Sequence, residues 1–140
     1  MVVGGGKRET YEKLAADLDI KDKVVFTGFV EDYPYHILKA SDLFASASYA
    51  ESYGYSSAEA QIMGIPVVAT AAGGTQEVVD NGKTGILVPR GDVDGLAEEI
   101  IRVLRDENLR KELGNNGPAW IKNKFSLPER IEEIINACLR

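Results

Sequence analysis

The stretch "GIPVVATAAGGT", residues 64–75, shows the structural unit that recurs along this chain. Gly64 stands where a helix C-cap glycine belongs, and Pro66 just beyond it cannot continue a helix. "PVVAT" is then a continuous apolar run, which is typical of a strand covered on both faces of a sheet. The glycine pair Gly73-Gly74 follows directly. The stretch therefore predicts the end of a helix, a buried strand and a glycine-rich turn.

The same alternation of apolar runs and helical patterns extends in both directions from this stretch. Four more strands are predicted, at "MVV", at "KVVFTGF", near residues 43–46 and at "GILV". Between them lie segments with apolar residues at helical spacing. Strands that alternate with helices form parallel sheets through right-handed crossovers. We therefore predict an α/β fold, a Rossmann-like parallel sheet with flanking helices, in a single domain over residues 1–140.

Several helices carry signals for where they begin. Ser56 and Glu59 fit the S-x-x-E capping box, and Asp92 or Asp94 can begin a later helix. Ser126 begins the last helix with the same S-x-x-E spacing. If the first of these caps forms, replacing Glu59 lowers stability by about 1 kcal/mol. The apolar faces predicted for three helices are Tyr11, Leu14, Ala15 and Leu18, then Leu96, Ile100, Val103 and Leu104, then Ile131, Ile134, Ile135, Cys138 and Leu139.

Composition excludes several classes of function. The chain has 140 residues, 44% of them hydrophobic and 27% charged, which is usual for a globular protein. Its net charge of −6 disfavours nucleic acid and gives no support to an anionic membrane surface. No apolar run reaches the roughly 20 residues of a membrane span. Cys138 cannot form an internal disulfide, and His36 has no partner at metal-ligand or triad spacing, so we expect no metal.

Ligands of open parallel sheets bind at the carboxyl ends of the strands, where four loops are predicted here. These loops are residues 4–6, 28–30, 51–59 and 71–75, and three of them are glycine-rich. Glycine allows the backbone to approach a ligand closely, although glycines also serve tight turns alone. Glu9 stands where the third glycine of a dinucleotide fingerprint belongs, which disfavours an NAD site.

The loop "ESYGYSSAE", residues 51–59, contains the clearest candidate side chain. A capping box accounts for Glu59 but not for Glu51, which lies between the third strand and the helix. With Glu51 in the loop and Glu59 in the first helical turn, both carboxylates could border one cleft. The amides of Gly54, Tyr55 and Ser56 at the helix start would then face an anion such as a diphosphate.

The longer stretch "ESYGYSSAEAQIMGIPVVATAAGGTQEVVDNGKTGILVPRGD", residues 51–92, resembles a known family. Its pattern is E-x7-E, then G-x-P-V-V-A-T, G-G-x-x-E-V-V, N-G-x-T-G-x-L-V and a closing G-D. "VVGGG" and "VVFTGFV" upstream look like the corresponding strands and turns. In this order the motifs resemble the C-terminal, donor-binding domain of retaining glycosyltransferases with the two-Rossmann GT-B fold, most of all family 4 (group 1).

The resemblance implies a hexosyl transfer from UDP- or GDP-sugar to an acceptor with retention, without a cofactor or a metal. Glu51 is then the catalytic residue nearest the donor sugar, and Glu59 binds the ribose hydroxyls of the nucleotide. The implied donor-binding residues around them are Gly54, Tyr55 and Ser56 at the diphosphate, Gly28, Phe29 and Val30 at the nucleobase, and Gly4 and Gly5 in the first glycine-rich turn.

Two parts of the family architecture have no counterpart in this chain. One is the first βα unit of the donor domain, which supplies a central strand and a basic pair for the diphosphate. The other is the whole N-terminal acceptor domain. We therefore expect a chain that is truncated and catalytically incomplete, with a rearranged sheet or one completed by another fragment or a strand-exchanged copy. A cytoplasmic location is expected, with the inner face of the membrane as an alternative for the full-length enzyme.

Two other functions remain open at this point. One is a non-catalytic assembly or interaction module that keeps the fold and pairs through its open sheet. The other is a nucleotide-sugar epimerase of related two-domain architecture. The E-x7-E and G-G-x-x-E patterns favour the transferase over the epimerase.

Overall fold

A computed structural model describes residues 1–30 and 35–126 of the chain. The chain divides into two compact units, residues 1–33 and residues 34–140. Within the described ranges, no helix has both the length and the apolar character needed to cross a membrane.

The first unit is a βαβ arrangement built on a two-stranded parallel sheet. Strand β1, Val2–Val3, is followed by helix α1, Arg8–Asp17, a short 3-10 helix, Lys21–Lys23, and strand β2, Phe26–Gly28. Val2 lies opposite Phe26 and Val3 opposite Gly28, with an irregular register between the two pairs.

Little of the first unit is buried. Ala15 is its one buried residue among those that the structure describes, while Leu14 and Leu18 on the same helix are 52% and 59% exposed. Val25 is 60% exposed, so the continuous apolar run "VVF" is not covered on both faces, although such runs are typical of strands that are. Two strands and one helix offer too little surface to cover a sheet on both sides.

The second unit is a three-stranded parallel sheet with helices on both faces. Its strands are β3, Phe44–Ser46, β4, Val67–Thr70, and β5, Gly85–Val88, in the order β3-β4-β5. Val67, at the start of β4, lies opposite Phe44 on one side and Gly85 on the other. The helices are α2, Tyr35–Lys39, α3, Tyr55–Ile62, α4, Thr75–Val78, α5, Val93–Arg105, and α6, Glu107–Lys124.

The core of the second unit lies on the two faces of β4. Val67 and Ala69 pack into one cluster, which includes Val78 of α4 and Ile121 of α6. Val68 points to the opposite face of the sheet, into a second cluster that consists of Val68, Ile86, Val103 and Leu113. All four residues of β4 are buried, which confirms the double-sided burial predicted from "PVVAT".

The predicted α/β class is confirmed, with parallel strands and flanking helices. The strands of the described residues nevertheless form two separate sheets, β1-β2 and β3-β4-β5, where one sheet was predicted. In each sheet the order of the strands in space follows their order in the sequence, so the first strands, β1 and β3, are both edge strands.

Two predicted helix boundaries are confirmed. Gly64 has the positive φ of a C-cap glycine, +74°, directly after α3. Asp92 caps α5 by accepting a hydrogen bond from the Gly95 amide at 2.9 Å. The predicted inward position of Leu104 is wrong, because that side chain is 43% exposed. The helix predicted to begin at Ser126, with its apolar face, lies outside the described residues.

Candidate functional site

The Glu51 loop, residues 47–54, leaves the carboxyl end of β3 and crosses towards the ends of the neighbouring strands. Its backbone carbonyls accept hydrogen bonds from three places. Thr70 Oγ1 donates to Ser48 O at 2.6 Å, and the Gly74 amide donates to Glu51 O at 2.8 Å. Arg90 Nη1 donates to Tyr49 O at 3.3 Å. The loop is therefore fixed by the ends of β4 and β5 as well as by β3.

The helix after this loop begins at Gly54, which corrects the predicted capping box. Gly54 is the N-cap, with φ +74° and ψ +34°, and the first intrahelical bond runs from the Ala58 amide to its carbonyl. Ser56 lies inside the helix, and its side chain makes no capping hydrogen bond. The S-x-x-E spacing of Ser56 and Glu59 is therefore not a cap, and Glu59 lies beyond the first turn.

The start of α3 leaves backbone donors available to a ligand. Tyr55, Ser56 and Ser57 precede the first intrahelical bond, so the geometry of a helix leaves their amides without partners in the preceding turn. Unpaired amides and the positive end of the helix dipole together favour an anion. The exposed Tyr53 and Tyr55 rings stack on one another beside this helix start, with centroids 5.2 Å apart.

The two carboxylates of the E-x7-E pattern lie in different settings. Glu51 is half-buried in the loop, and its carbonyl is bonded to Gly74. Glu59 is half-buried on α3, and burial raises the pKa of its carboxyl above the usual value of 4.5. A carboxyl with a raised pKa, next to a helix start with open amides, is typical of a binding site.

The remaining predicted donor-binding residues belong to the first unit. Gly4 and Gly5 line a cavity of about 230 Å³ together with Gly28, and the Gly4 amide donates to Gly28 O at 2.9 Å. Lys7 and Tyr11 also line it. Outside this cavity's lining, Phe29 is 85% exposed and Val30 is half-buried. The structure thus brings the glycines of two predicted loops together within this unit.

Sequence reasoning missed the residues that fix the Glu51 loop. Arg90 lies two residues after the end of β5, so the rule that ligands gather at strand ends, applied to all five strands, would have selected it. Its guanidinium lies 5.3 Å from the centroid of the Tyr49 ring, a cation–π contact. Thr70 ends β4 and closes the G-x-P-V-V-A-T pattern, but that pattern assigned it no role. Among the described residues, no group of three or more His, Cys, Asp or Glu is placed to hold a metal.

Comparison with known proteins identifies the family. Residues 1–120 match the family described as Glycosyl transferases group 1. The chain is 34% identical over 137 residues to N-acetyl-alpha-D-glucosaminyl L-malate synthase of Bacillus anthracis, which covers 97% of this chain and 35% of that protein. The chain therefore belongs to the glycosyl transferases group 1 family. It spans about a third of the length of the curated relatives it matches.

Several solved structures share the fold of this chain. Sucrose-phosphate synthase from Thermosynechococcus elongatus matches with a TM-score of 0.84 and 29% identity, over 98% of this chain and 37% of that one. HepE from Anabaena, solved in complex with UDP, matches with a TM-score of 0.85 and 28% identity, over 96% of this chain and 40% of that one. The Rossmann-like architecture is thus that of GT-B glycosyltransferases.

Proposed function

We propose that this chain is the donor-binding portion of a retaining glycosyltransferase, which moves a sugar from a nucleotide-diphosphate sugar to an acceptor. The Glu51 loop carries this proposal, because it holds a half-buried carboxylate at the strand ends, directly before a helix start with open amides. Family membership supports it, and so does HepE, a structural neighbour that binds UDP.

In the second unit, different residues bind different parts of the donor. Glu51 accepts hydrogen bonds from the sugar hydroxyls and stabilises positive charge that develops at the anomeric carbon. The amides of Gly54, Tyr55 and Ser56 bind the diphosphate, whose negative charge increases as it leaves. Glu59 accepts from the ribose hydroxyls. Fixed donors aimed at the leaving group stabilise the transition state because they need no reorganisation during the reaction.

Taken by itself, the first unit offers glycine-rich turns that suit a nucleoside. Gly4 and Gly5 leave the backbone accessible, since no atom lies within 4 Å of a Cβ built on either residue. Gly28 and Val30 border the nucleobase, and the exposed ring of Phe29 offers it a stacking surface. The donor is a UDP- or GDP-sugar, no metal takes part, and the reaction takes place in the cytoplasm or at the inner face of the membrane.

Isothermal titration of the purified chain with UDP-glucose, UDP, GDP-mannose and GDP tests this proposal. The titration is repeated with the N-terminal portion of a family relative added as a second fragment. We expect one of the two nucleotide sugars to bind, and to bind more tightly when the fragment is present. Absence of binding to all four ligands in both settings would overturn the proposal.

A second candidate function is that of a non-catalytic assembly module. It is favoured by the apolar surface of the first unit, where Val2, Val3, Leu14 and Leu18 are all exposed. A chain that pairs through this surface would form dimers or strand-exchanged oligomers. Light scattering across a concentration series measures the mass in solution. A monomer at all concentrations, together with nucleotide-sugar binding, would exclude this candidate.

A further inference from the structure

Other parts of the protein occupy the space beside the glycine pair after β4, Gly73-Gly74. A Cβ built on Gly74 would lie 2.6 Å from both Ser52 O and Tyr53 Cα. A Cβ on Gly73 would collide with the carbonyl oxygen of Glu51. Real Cβ atoms essentially never approach backbone atoms this closely, so a side chain at either position requires the Glu51 loop to move.

Gly74 has no conformational reason to be glycine. Its φ of −60° and ψ of −18° are right-handed helical values that any residue adopts. Gly74 is the N-cap of α4, where glycine is commoner than alanine, but its right-handed φ and ψ would accept a side chain if there were room for one. The space occupied by the loop is therefore the physical reason for glycine at this position.

The loop side of this contact also carries a glycine that lies close to the turn after β4. Gly54, the N-cap of α3, has a positive φ, and a Cβ on it would lie 3.3 Å from Thr75 Cα. The loop and the turn after β4 thus approach each other backbone to backbone at both ends of residues 51–54. The hydrogen bond from the Gly74 amide to Glu51 O, 2.8 Å long, closes this contact.

We propose that Gly73 and Gly74 are positioning residues for Glu51, which act by letting the Glu51 loop lie directly on the turn after β4. A methyl group at position 74 displaces the backbone of residues 52–53 and withdraws the Glu51 carboxylate from the donor sugar. The inference rests on the proposed function, in which Glu51 binds the sugar. The nucleoside end of the donor is bound elsewhere and is affected less.

Gly74→Ala is the decisive variant, measured by titration with UDP-glucose and with UDP, or with the GDP pair if the wild type prefers it. The readout is the sugar increment, the ratio of the affinity for the nucleotide sugar to the affinity for the nucleotide. Loss of a hydrogen-bonded carboxylate contact lowers such a ratio about tenfold or more. We expect Gly74→Ala to lose the increment while its affinity for the nucleotide changes less.

Gly73→Ala has a matched control in Gly91→Ala. Both glycines have positive φ, +49° and +86°, so both variants carry the same kind of backbone strain. No atom lies within 4 Å of a Cβ on Gly91. We expect Gly91→Ala to lower the melting temperature and leave the increment unchanged, whereas Gly73→Ala also loses the increment.

Hydrogen exchange of backbone amides tests the contact without any ligand. The Gly74 amide, which donates to Glu51 O, should be protected in the wild type, and we expect Gly74→Ala to lose that protection while β4 and β5 keep theirs. If the wild type binds no nucleotide sugar, the proposed function fails, and exchange still decides whether the glycines hold the loop.

Three results would overturn the inference. The first is a folded Gly74→Ala that keeps the full increment. The second is an equal loss of affinity for nucleotide and nucleotide sugar, which is general structural damage. The third applies if Gly74→Ala does not fold: Thr70→Val then removes only the hydroxyl that donates to Ser48 O, and an unchanged increment in that variant counts against positioning of the loop.

Discussion

Glu59 combines two properties that oppose each other. Its carboxyl is partly buried, which disfavours the charged form and raises its pKa above 4.5. In the proposed function the same carboxyl accepts hydrogen bonds from the ribose hydroxyls, which its ionised form does through both oxygens. No capping bond at the start of α3 offsets this burial, so desolvation opposes the ionised form of Glu59 at neutral pH.

We therefore predict that Glu59→Gln does not lower the free energy of unfolding at pH 7. The folded state binds more protons than the unfolded state between 4.5 and the raised pKa, so the contribution of Glu59 to stability falls as the pH rises through that window. Urea denaturation at a series of pH values should show the wild type less stable than the variant at pH 7, with the difference closing below the window. A constant loss of about 1 kcal/mol would restore the capping box.

Gln61 is fully buried on α3 and only partly satisfied. Its Nε2 donates to Ser57 O and to Val78 O, both at 3.2 Å, while Oε1 has no hydrogen-bond partner among the described residues. Val78 O also accepts from the Trp120 indole at 2.7 Å, so it keeps a partner if Gln61 is replaced.

Gln61→Met should accordingly be neutral or stabilising, by up to about 1 kcal/mol. An unsatisfied buried acceptor costs about 1–3 kcal/mol, which offsets the two long hydrogen bonds that the variant loses. Chemical denaturation measures the difference, with the exposed Gln76→Met on α4 as the control that should not change. A loss above 1 kcal/mol at position 61 would mean that the two Nε2 bonds outweigh the orphan oxygen.

At the scale of elements, two helices show how a start is fixed. α5 begins at Asp92, whose carboxylate accepts from the Gly95 amide. α3 begins at Gly54 because that glycine takes a left-handed conformation against the turn after β4. Aspartate and glycine are both favoured at N-caps, but only Asp92 caps its helix with a side chain.

The two helix starts give opposite predictions for alanine. Asp92→Ala should lower the free energy of unfolding by about 1 kcal/mol, because the Gly95 amide loses its acceptor. Ser56→Ala should change it by less than about 0.5 kcal/mol, as expected for an exposed residue outside any cap. Thermal denaturation of both variants checks this pair, and a larger loss at Ser56 would contradict the assignment of Gly54 as the N-cap.

The sequence predicts strands better than it predicts where helices begin. Strand β4 was predicted correctly because a continuous apolar run bounded by a proline and by glycines has few other solutions. The S-x-x-E spacing around Ser56 failed because the start of α3 depends on packing against Gly74 and Thr75, twenty residues further along. Such a contact leaves no signal in the local sequence.

Some residues of the candidate site could also be predicted from the sequence, and others could not. The rule that ligands bind at strand ends pointed to the loops that contain Glu51, Gly4, Gly5 and Gly28. These residues do lie at or after the carboxyl ends of strands in their own sheets. The strand-end rule could have selected Arg90 as a residue of the site, but not its bond to the loop, since Arg90 and Tyr49 are 41 positions apart and Thr70 and Ser48 are 22 apart. For Gly73-Gly74 the sequence left open a close approach to a ligand or a tight turn alone, whereas the structure packs the Glu51 loop against the pair.

At the scale of the whole molecule, the two units differ in how much they bury. The second unit has two apolar clusters around a buried strand, while in the first Ala15 is buried and Val2, Tyr11, Leu14 and Leu18 are exposed. Apolar burial is the main favourable term in folding, so the first unit is the less stable one.

Hydrogen exchange should therefore separate the units. We predict that amides of α1 and β2 exchange through openings of low free energy, while those of β4 and β5 exchange only near global unfolding. Adding the N-terminal fragment of a relative should slow exchange in α1 if it covers the exposed apolar face. Uniform protection over both units would show that the apolar surface of the first unit is already covered in solution.

The most direct test of the account is a pair of titrations with nucleotide and nucleotide sugar, on Glu51→Gln and on Glu59→Gln. We predict that Glu51→Gln binds the nucleotide as the wild type does and loses the added affinity for the nucleotide sugar. Glu59→Gln should weaken both ligands by the same factor, because it binds the ribose that they share. If Glu51→Gln keeps the full difference between the two ligands, Glu51 does not bind the donor sugar and the account is wrong.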